Sequence, residues 1–453
     1  MQKNGIERVL LIVGAGASGM LAAISARKQA RALGIADKQF RIILFERNPK
    51  PGNKIAISGG GHCNLTHAGD VRHLLETGFF DKKEQRFLRH AVHRFSNADL
   101  LELFGRYGLK TMARENGRVF PESGRAAEVL ELMQRMLRDS AAEIVTGARI
   151  DRLDCDDRGC IVCAGDRCFE GDTVILAAGG SSWGSSGTTG DGVRLAASAG
   201  QTVVRVLPAL APLWFNAPPR RELVGISLRN VALVAESDGA SDVRRGDVLV
   251  SHRGVSGPAC LSLSRSVASM MASGAQVRIA IDLFPGHNEQ ALSSFLLDQA
   301  SRHGSRLLRT VLQRMPVAPE KLGESENENG EVQTIPNAFA NEIMRLAKID
   351  ETVTMSVLGK QQRQRIVSLL KRLPLGTVRK VPLEQAEVSA GGVALGEIDP
   401  KTMRSKLNSR LYCCGELLDY AGEVGGFNLQ AAFSTGWVAG LEATQALFGT
   451  EPA

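Results

Sequence analysis

The chain has 453 residues, with 55 lysines and arginines against 48 aspartates and glutamates and a formal net charge of +7 at pH 7. This length exceeds what one ordinary hydrophobic core needs and predicts two or three domains. No apolar run approaches the roughly 18 residues that a membrane-spanning helix needs. Because the first residues also lack the cleavage site of a secretory signal, we expect a cytoplasmic protein.

A glycine-rich turn follows the first predicted strand. Residues 8–30 predict a buried strand, a tight turn and a helix, and 41-RIILFERN-48 predicts a second strand. The turn, 14-GAGASG-19, has a G-x-G-x-x-G pattern, in which missing side chains permit a sharp turn, the approach of a pyrophosphate and close helix packing. Glu46 ends the second strand, where a carboxylate accepts hydrogen bonds from ribose hydroxyls. This order predicts a dinucleotide site, with a glycine-rich packing turn as the alternative.

Two later segments repeat the junction of a strand with glycines. The segment 174-VILAAGG-180 predicts a strand that runs into glycines, and 422-GEVGGFNLQAAF-433 opens a long amphipathic helix predicted over residues 427–447. Both offer backbone N–H groups to one extended ligand, which favours FAD over NAD. Because no second G-x-G-x-x-G follows a strand, we expect a nicotinamide dinucleotide to dock only transiently. One α/β domain is therefore predicted from both ends of the chain.

The middle of the chain predicts an insertion of strands and helices. Strands are predicted at residues 203–215, 228–237 and 277–285, and helices at residues 288–315 and 337–347. Residues 316–336 carry five glutamates and three prolines with few large apolar side chains, so we expect a mobile surface linker there.

The eight cysteines are expected to be reduced thiols, because disulfides are rare in large cytosolic proteins. Four of them form the cluster Cys155, Cys160, Cys163 and Cys168, which raises the alternative of a zinc site. The surrounding segments predict three short strands joined by tight turns, where cysteine serves as a small half-buried residue. The spacing is poor for two C-x2-4-C knuckles, so strand cysteines are favoured over zinc and no metal is expected.

The stretch 57-ISGGGHCNLTH-67 can be a metal loop, a structural turn or a backbone cradle for a cofactor. His62, Cys63 and His67 are loosely spaced for a metal site, and no fourth ligand is evident. The core of the stretch, 58-SGGGHCNLT-66, is similar to a family loop of the form S-G-G-G-R-C-N-x-T.

The chain resembles the BaiN/RdsA family of NAD(P)/FAD-dependent oxidoreductases, the HI0933-like flavoproteins. The resemblance covers nearly the whole chain and rests on that loop together with 14-GAGASG-19, 208-PALAPL-213, 252-HRGVSGP-258, 399-DPKTMRSK-406 and 415-GELLDYAGEVGGFNLQ-430. It implies an α/β fold with a Rossmann-like, glutathione-reductase-like FAD-binding domain that an inserted β-rich domain and a helical lid interrupt. On this basis the FAD-binding domain is predicted at 1–203 plus 386–453, the β-rich domain at 204–285 plus 374–385 and the lid at 286–373.

The resemblance also favours the cradle reading, with the triple glycine beside the isoalloxazine ring of FAD and NAD(P)H as the transient reductant. The residues expected to contact FAD are Gly14, Ala15, Gly16, Ala17, Ser18, Gly19, Glu46, Arg47, Lys54, Ser58, Gly59, Gly60, Gly61, Cys63, Asn64, Ala178, Gly179, Gly415, Glu416, Gly425, Gly426, Phe427 and Asn428. Asn64 is a catalytic candidate available to polar atoms of flavin or substrate, and Cys63 beside it is a candidate proton donor, because reduction of a double bond needs one proton for each hydride. His252 is a second catalytic candidate, with a turn residue bonded to the backbone as the alternative.

Two features depart from the family pattern. His62 replaces the arginine of the loop, so a permanent cation becomes a side chain that is largely neutral at pH 7. The acidic linker at 316–336 is long for the family and affects the geometry of the predicted lid.

A basic segment indicates what kind of molecule the protein binds. Residues 352–383 hold seven lysines and arginines and no acid, and the part at 360–380 suits phosphate contacts, with a solvated basic surface as the alternative. The sequence therefore favours reduction of a ribosomal RNA uridine to dihydrouridine. The alternatives are a flavin enzyme for an amine or a steroid-type small molecule, and a flavin-bound RNA-binding module without turnover.

Overall fold

A computed structural model of the chain describes residues 7–318 and 333–449. The chain divides into two compact units, the first made of Met1–Leu207 and Ala386–Ala453 and the second of Pro208–Gln385. The first unit thus uses both ends of the chain. The further division of the insertion into a β-rich domain and a helical lid stays a prediction.

The N-terminal part of the first unit alternates strands and helices. Its strands are β1 Arg8–Val13, β2 Phe40–Phe45, β3 Thr66–His67, β4 Thr111–Ala113, β5 Arg118–Pro121, β6 Glu143–Val145, β7 Arg152–Cys155, β8 Cys160–Ala164, β9 Arg167–Gly171, β10 Thr173–Leu176 and β11 Val203–Ala209. Its helices are α1 Ala17–Ala32, α2 Asn53–Ile57, α3 Val71–Gly78, α4 Lys82–Arg94, α5 Asn97–Arg106, α6 Ala126–Asp139 and α7 Asp191–Ser198.

The second unit is built on a closed antiparallel barrel with the strand order β12-β15-β14-β13-β16-β17. The strands are β12 Leu213–Phe215, β13 Ser227–Ser237, β14 Ala240–Ser251, β15 Gly254–Ser256, β16 Arg278–Asp282 and β17 Leu373–Lys380. The helices are α8 Pro258–Ala272, α9 Glu289–Arg302, α10 Leu308–Arg314, α11 Asn337–Ala347 and α12 Lys360–Lys371.

The single helix predicted over residues 288–315 is wrong, because α9 and α10 are separate helices. The backbone leaves helical geometry at His303, where φ is −136°, and Gly304 follows. Glycine is a poor helix residue, so the break has a local cause.

Most of the predicted linker, residues 319–332, lies outside the described residues, and its mobility stays a prediction. The described ends of the linker pair with each other. The backbone N–H of Val317 donates to the carbonyl of Gln333 at 2.7 Å, and that of Ile335 donates to Met315 at 2.9 Å. The two ends of the segment are therefore anchored side by side.

The chain then returns to the first unit through β18 Val388–Val393, β19 Leu411–Cys413 and α13 Phe427–Phe448. A five-stranded sheet has the order β19-β10-β1-β2-β6, and its paired strands are parallel. Its central strands are continuous apolar runs, as a sheet covered on both faces requires. Because the strands are parallel, the segments that follow β1, β2, β10 and β19 all start at one edge of the sheet.

Helix α13 differs from its prediction, because it is buried around most of its circumference rather than amphipathic. It packs against α1 at two glycines. A Cβ on Gly436 would overlap the backbone of Ser18, and one on Gly440 would overlap the carbonyl of Ala22. Small residues therefore allow the two backbones to approach closely, which leaves no polar face.

The four clustered cysteines correct another prediction. Strands β7, β8 and β9 form an antiparallel sheet, as expected, but Cys155 bonds to Cys160 and Cys163 bonds to Cys168 in disulfides. Each pair sits directly opposite in register, so strand pairing itself brings the sulfur atoms together. Cys63, Cys260, Cys413 and Cys414 are free and buried.

Within residues 7–318 and 333–449, no helix has both the length and the apolar character needed to cross a membrane.

Candidate functional site

The glycine turn after β1 is crowded at two glycines and open at the third. Gly14 has φ +105°, and a Cβ on it would lie 2.5 Å from the carbonyl oxygen of Ala177. A Cβ on Gly19 would overlap the carbonyl oxygen of Gly14, whereas one on Gly16 would meet nothing within 4 Å. Helix α1 begins at Ala17 without a side-chain cap. The open space at Gly16 therefore lies at a helix N-terminus, where a diphosphate binds well.

Glu46 follows β2 directly and bonds to the glycine turn. Its Oε2 accepts a hydrogen bond from the N–H of Ala15 at 3.2 Å, and its Oε1 accepts from the backbone and side-chain N–H groups of Asn48 at 2.8 and 2.7 Å. The residue is 7% exposed. Burial raises the pKa of Glu46, and the hydrogen bonds from Asn48 and Ala15 oppose that shift. A carboxylate fixed here suits the hydroxyl groups of a ribose.

Arg47 holds the loop that leads into α7. One of its terminal nitrogens donates to Thr189 Oγ1 at 2.5 Å and to Asp191 Oδ2 at 2.9 Å, and Arg149 binds the same carboxylate. Asp191 thus anchors the loop to the end of β2, a role that no sequence pattern indicated. A direct contact of Arg47 with FAD stays a prediction.

A polar cluster joins residues from distant parts of the first unit. Lys54 Nζ donates to Glu416 Oε2 at 2.5 Å and to Ser182 Oγ at 2.7 Å. Glu416 Oε1 also accepts from the backbone N–H of Ser389 at 2.9 Å. Lys54 and Glu416, which lie 362 residues apart in sequence, are thereby brought together. Sequence reasoning missed Ser182 and Ser389, because isolated serines carry no recognisable pattern.

The segments after β10 and β19 border the glycine turn. The Cα of Ala178 lies 2.7 Å from the position of a Cβ on Gly14, and Gly179 has φ +71°. Gly415 has φ +72°, and a Cβ on it would lie 2.8 Å from the Cβ of Ser18. The predicted contacts in these segments therefore gather at one edge of the sheet, as the parallel topology requires.

The triple-glycine loop is a left-handed turn with an open side. Gly59, Gly60 and Gly61 have φ values of +56°, +67° and +88°. Gly59 packs against the backbone N–H of Asn64, whereas a Cβ on Gly60 or Gly61 would meet nothing within 4 Å. The loop closes through the N–H of Cys63, which donates to the carbonyl of Ser58 at 2.9 Å. Glycine is thus needed for conformation at all three positions and leaves a flat open surface at two.

Cys63 lies at the end of this loop with its side chain fully buried. It has φ +53°, which is unusual for a residue with a Cβ. Burial raises the pKa of its thiol to about 11, against a smaller opposing effect from a hydrogen bond with Ser58. The thiol therefore keeps its proton at neutral pH.

Asn64 ties the loop to the start of α13. With its amide oriented to satisfy both ends, the oxygen accepts from the N–H of Gly426 at 3.0 Å and the nitrogen donates to the carbonyl of Thr66 at 3.1 Å. Asn428 is committed to Gly422, donating to its carbonyl and accepting from its N–H, both at 2.8 Å. Asn64 and Asn428 thus fix the backbone.

The remaining residues at the start of α13 are placed by packing. Gly426 has φ +92°, and a Cβ on it would lie 2.5 Å from the carbonyl oxygen of Thr66. A Cβ on Gly425 would overlap the ring of Phe427, which stacks on His67 with ring centroids 4.8 Å apart. This helix start therefore packs directly on the strand that follows the triple-glycine loop.

The metal alternative for this loop finds no support in the geometry. His62 Nδ1 bonds to the carbonyl of Gly124 at 2.8 Å, and the two ring nitrogens of His67 bond to the carbonyls of Ala68 and Asn116. Across residues 7–318 and 333–449, no group of three or more histidine, cysteine or acidic side chains is arranged to hold a metal ion.

His252 belongs to the second unit and is not among the residues gathered at the sheet edge of the first. It lies with Arg253 in the turn between β14 and β15, and its side chain is exposed. His252 therefore lies in a turn, while its catalytic role and the backbone hydrogen bond of the alternative both stay predictions.

Three of the seven cations in the basic segment around α12 pair with acids from neighbouring elements. Lys371 Nζ pairs with Asp282 at 2.6 Å, Arg372 pairs with Glu236, and Lys380 pairs with Glu384 at 2.6 Å. The segment contains no acid in sequence, yet the barrel strands and the residues after β17 supply three. These ion pairs argue against a continuous phosphate-binding surface along residues 360–380.

The assembled residues fit an extended adenine dinucleotide with a flat ring. Open backbone at Gly16 can receive a diphosphate, Glu46 lies beside that turn to receive ribose hydroxyls, and Gly60 and Gly61 leave room for a planar group. The chain also matches the HI0933-like protein Rossmann domain over residues 8–442. It belongs to this family. The HI0933-like chain is thus a flavoprotein oxidoreductase with a Rossmann-type FAD-binding domain, and the predicted fold class is confirmed.

This HI0933-like protein is similar to three proteins whose names describe an activity. It is 30% identical over 436 residues to a 3-dehydro-bile acid delta(4,6)-reductase of Clostridium scindens, covering 96% of this chain and 98% of the relative. It is 26% identical over 430 residues to a ribosomal RNA dihydrouridine synthase of Escherichia coli, covering 94% and 96%. The enzyme of that name from Haemophilus influenzae is 27% identical over 438 residues, covering 95% and 97%.

Proposed function

We propose that this protein reduces a carbon–carbon double bond conjugated to a carbonyl group, with NAD(P)H as the transient reductant of its FAD. The observation that carries the proposal is that the names of all three relatives describe this one chemical change. A delta(4,6)-reductase saturates ring double bonds, and dihydrouridine forms when the ring double bond of uridine is saturated. In each case the substrate gains a hydride at one carbon and a proton at its neighbour.

The chain's own residues supply a surface and a proton. Bound FAD supplies the hydride. The open faces of Gly60 and Gly61 give a flat ring room to lie against the backbone. The Cys63 thiol, three residues from the open Gly60, holds a proton on Sγ because burial raises its pKa to about 11. We propose that this thiol, which is fully buried in this structure and positioned by the loop that Asn64 ties to Gly426, is uncovered by a movement of that loop and then donates the proton to the substrate.

The favoured substrate is a uridine of ribosomal RNA. Two relatives carry the name ribosomal RNA dihydrouridine synthase. The excess of basic over acidic residues in this chain also falls mostly in the second unit, which suits a polyanionic partner. Because three of the seven cations in residues 352–383 pair with acids, we expect RNA contacts beyond this segment as well.

A steroid-type enone is the second candidate, because the relative with the higher identity is the bile acid reductase. Both candidates share the conjugated double bond and differ in size and charge. A ribosomal RNA substrate requires phosphate contacts, so its binding weakens as salt concentration rises. A neutral steroid lacks that dependence.

In the test, the purified, FAD-loaded protein is reduced with NADH or NADPH under anaerobic conditions. The visible absorbance of the flavin monitors the reduction. A ribosomal RNA fragment, a steroid enone and an amine are then added separately. We expect the RNA fragment to restore the oxidised spectrum and to acquire dihydrouridine. Restoration by the steroid alone would assign the second candidate. A spectrum that no donor changes would indicate a binding module, and peroxide release with the amine in air would indicate an oxidase.

The role of Cys63 has its own test. Cys63→Ala is expected to keep FAD and to be reduced by NAD(P)H at the wild-type rate, while turnover of the unsaturated substrate falls about 100-fold, in the range typical of a lost general acid. Cys63→Ser is the matched control, because its hydroxyl restores a donor of similar size. If both variants turn over at the wild-type rate, Cys63 is not the proton donor.

A further inference from the structure

A tryptophan on the outer side of the barrel has two cations beside its ring. Trp214 lies in β12 between Leu213 and Phe215, whose buried side chains point into the barrel. Because side chains alternate along a strand, the half-buried indole points outward. The guanidinium carbon of Arg253 lies 4.6 Å from the centre of the ring, and Lys380 Nζ lies 5.5 Å from it.

Strand pairing brings these groups together from three strands. Trp214 is opposite Lys380 of β17 on one side and opposite Gly254 of β15 on the other. Arg253 precedes Gly254 in the exposed turn that also carries His252. We define Trp214, His252, Arg253 and Lys380 as the barrel face. Strand pairing in the closed barrel fixes the positions of Trp214 and Lys380, and the turn between β14 and β15 carries the other two residues.

The charge of the barrel face is only partly neutralised. Lys380 pairs with Glu384 at 2.6 Å. Arg253, in contrast, has the Trp214 ring as its neighbour, and no carboxylate pairs with it among the residues that the structure describes. Lys371 and Arg372 differ from Arg253, because each of them forms an ion pair with an acidic residue of a barrel strand.

An outward aromatic ring beside an exposed cation that no carboxylate neutralises suits single-stranded nucleic acid. Bases stack on aromatic or guanidinium planes whatever their sequence, and the adjacent phosphates pair with basic side chains. We infer that the barrel face docks a single-stranded segment of RNA, with a base stacked on the Trp214–Arg253 pair and the neighbouring phosphates at Arg253 and Lys380.

The inference rests on the proposed RNA substrate and adds to it a binding surface outside the flavin-binding unit. A protein partner is the other macromolecule that an exposed tryptophan could serve. The presence of two cations, Arg253 and Lys380, beside Trp214 favours RNA. RNA brings a phosphate with every nucleotide, whereas a protein partner would have to supply carboxylates at matching positions.

The experiment measures binding of a fluorescently labelled single-stranded RNA, rich in uridine, to the FAD-loaded protein by anisotropy over a series of salt concentrations. Trp214→Ala is expected to weaken binding about 10-fold, in line with the loss of one stacked base. Trp214→Phe keeps a stacking ring and is expected to bind within about 3-fold of wild type. Arg253→Ala is expected to weaken binding and to lower its salt dependence by about one phosphate contact.

Two controls keep the result specific. Arg302→Ala removes an exposed cation of α9 that pairs with Asp298, and it should leave RNA binding unchanged. Flavin reduction by NAD(P)H should be equal in all variants, since the barrel face belongs to the second unit and every predicted cofactor contact to the first. A variant that fails this second control has lost its fold, and Trp214→Phe and Arg253→Ala then decide the question.

The outcomes separate the surface from the activity. If Trp214→Ala and Arg253→Ala bind RNA as tightly as wild type, or if wild type binds no RNA, the inference is wrong. If these variants lose ribosome binding but not naked RNA binding, the surface serves a protein and the inference is also wrong. If binding depends on Trp214 while no dihydrouridine forms under any donor, the barrel face stands and the proposed activity fails.

Discussion

The two glycine-rich turns of the first unit use glycine for different physical reasons. In the turn after β1, Gly14 and Gly19 have no space for a side chain, because neighbouring backbone carbonyls occupy it. In the triple-glycine loop, Gly60 and Gly61 have space on their open side but a left-handed backbone. The first turn is thus shaped by packing within the protein, and the second by its conformation and by whatever lies against its open face. Gly16 combines open space with an ordinary backbone and separates the two effects.

We expect the largest loss of stability from a substitution at Gly19, in the crowded turn after β1. Gly19→Ala would push a Cβ into the carbonyl of Gly14. Because backbone atoms cannot move aside as a flexible side chain can, we expect a loss of about 3 kcal/mol or more in the free energy of unfolding. Chemical denaturation of the apoprotein measures it. Unchanged stability would show that the turn is not packed as described.

Gly16→Ala tests the open position in the same turn. Its φ of −84° suits alanine and no protein atom lies near the new Cβ, so we expect stability of the apoprotein to change by less than about 1 kcal/mol. The FAD dissociation constant should rise about 10-fold or more, because the methyl group fills the space at the helix start where a diphosphate would approach. Flavin fluorescence titration measures this. FAD binding equal to wild type would place the diphosphate elsewhere.

Buried thiols, including the one that ends the triple-glycine loop, should make stability fall in alkali. Burial raises the pKa of Cys63 to about 11 and that of Cys260 to about 12, whereas an unfolded thiol ionises near 8.5. Their stabilising contribution is therefore complete below about pH 8.5 and is lost as pH rises towards the folded values. Each thiol should cost about 1.4 kcal/mol for each pH unit within that range.

Denaturant unfolding between about pH 8 and pH 10 measures this slope. Cys63→Ala should reduce the slope by the share of one thiol and leave the remainder. An unchanged slope would mean that Cys63 is accessible to hydroxide in the folded protein.

Gly60→Ala tests the open side of the triple-glycine loop and should cost less stability than Gly19→Ala. A left-handed conformation costs a residue with a Cβ about 1 kcal/mol, so we expect a loss of that size together with weaker FAD binding. Gly165→Ala is the matched control, because Gly165 has φ +59°, has equally open space and lies in the turn between β8 and β9. Both variants should lose similar stability, and only Gly60→Ala should lose FAD affinity. Equal FAD affinity in both would leave the triple glycine a purely structural turn.

The sequence predicted the parts of the site that depend on local pattern. The glycine turn, Glu46 and the strand that ends at Leu176 are marked by short motifs or continuous apolar runs, and parallel topology then places their ends at one edge. Lys54 and Glu416 were each predicted to contact FAD, but their contact with each other was not predicted, because no local signal links residues so far apart. Ser182 and Ser389 complete that cluster and carry no signal at all.

Features set by register or by distant partners were missed. The disulfides depend on Cys155 lying opposite Cys160, and the sequence gives strand positions more readily than cross-strand register. The charge of the α12 segment depends on Asp282 and Glu236, which lie far away in the chain. The buried character of α13 depends on glycines that admit α1 rather than on any apolar stripe. The helices α3 to α6 were not predicted either, although several have clear polar caps such as Asp70 and Ser96.

The origin of the first unit from both chain ends has a consequence for biosynthesis. Strand β19 pairs with β10, and α13 packs on α1, so the returning segment Ala386–Ala453 completes both the sheet and the cluster that contains Lys54. A growing polypeptide on the ribosome therefore carries its glycine turn long before the complementary half emerges. We therefore expect coenzyme uptake to follow synthesis of Ala386–Ala453, and a messenger truncated before that segment should yield colourless protein.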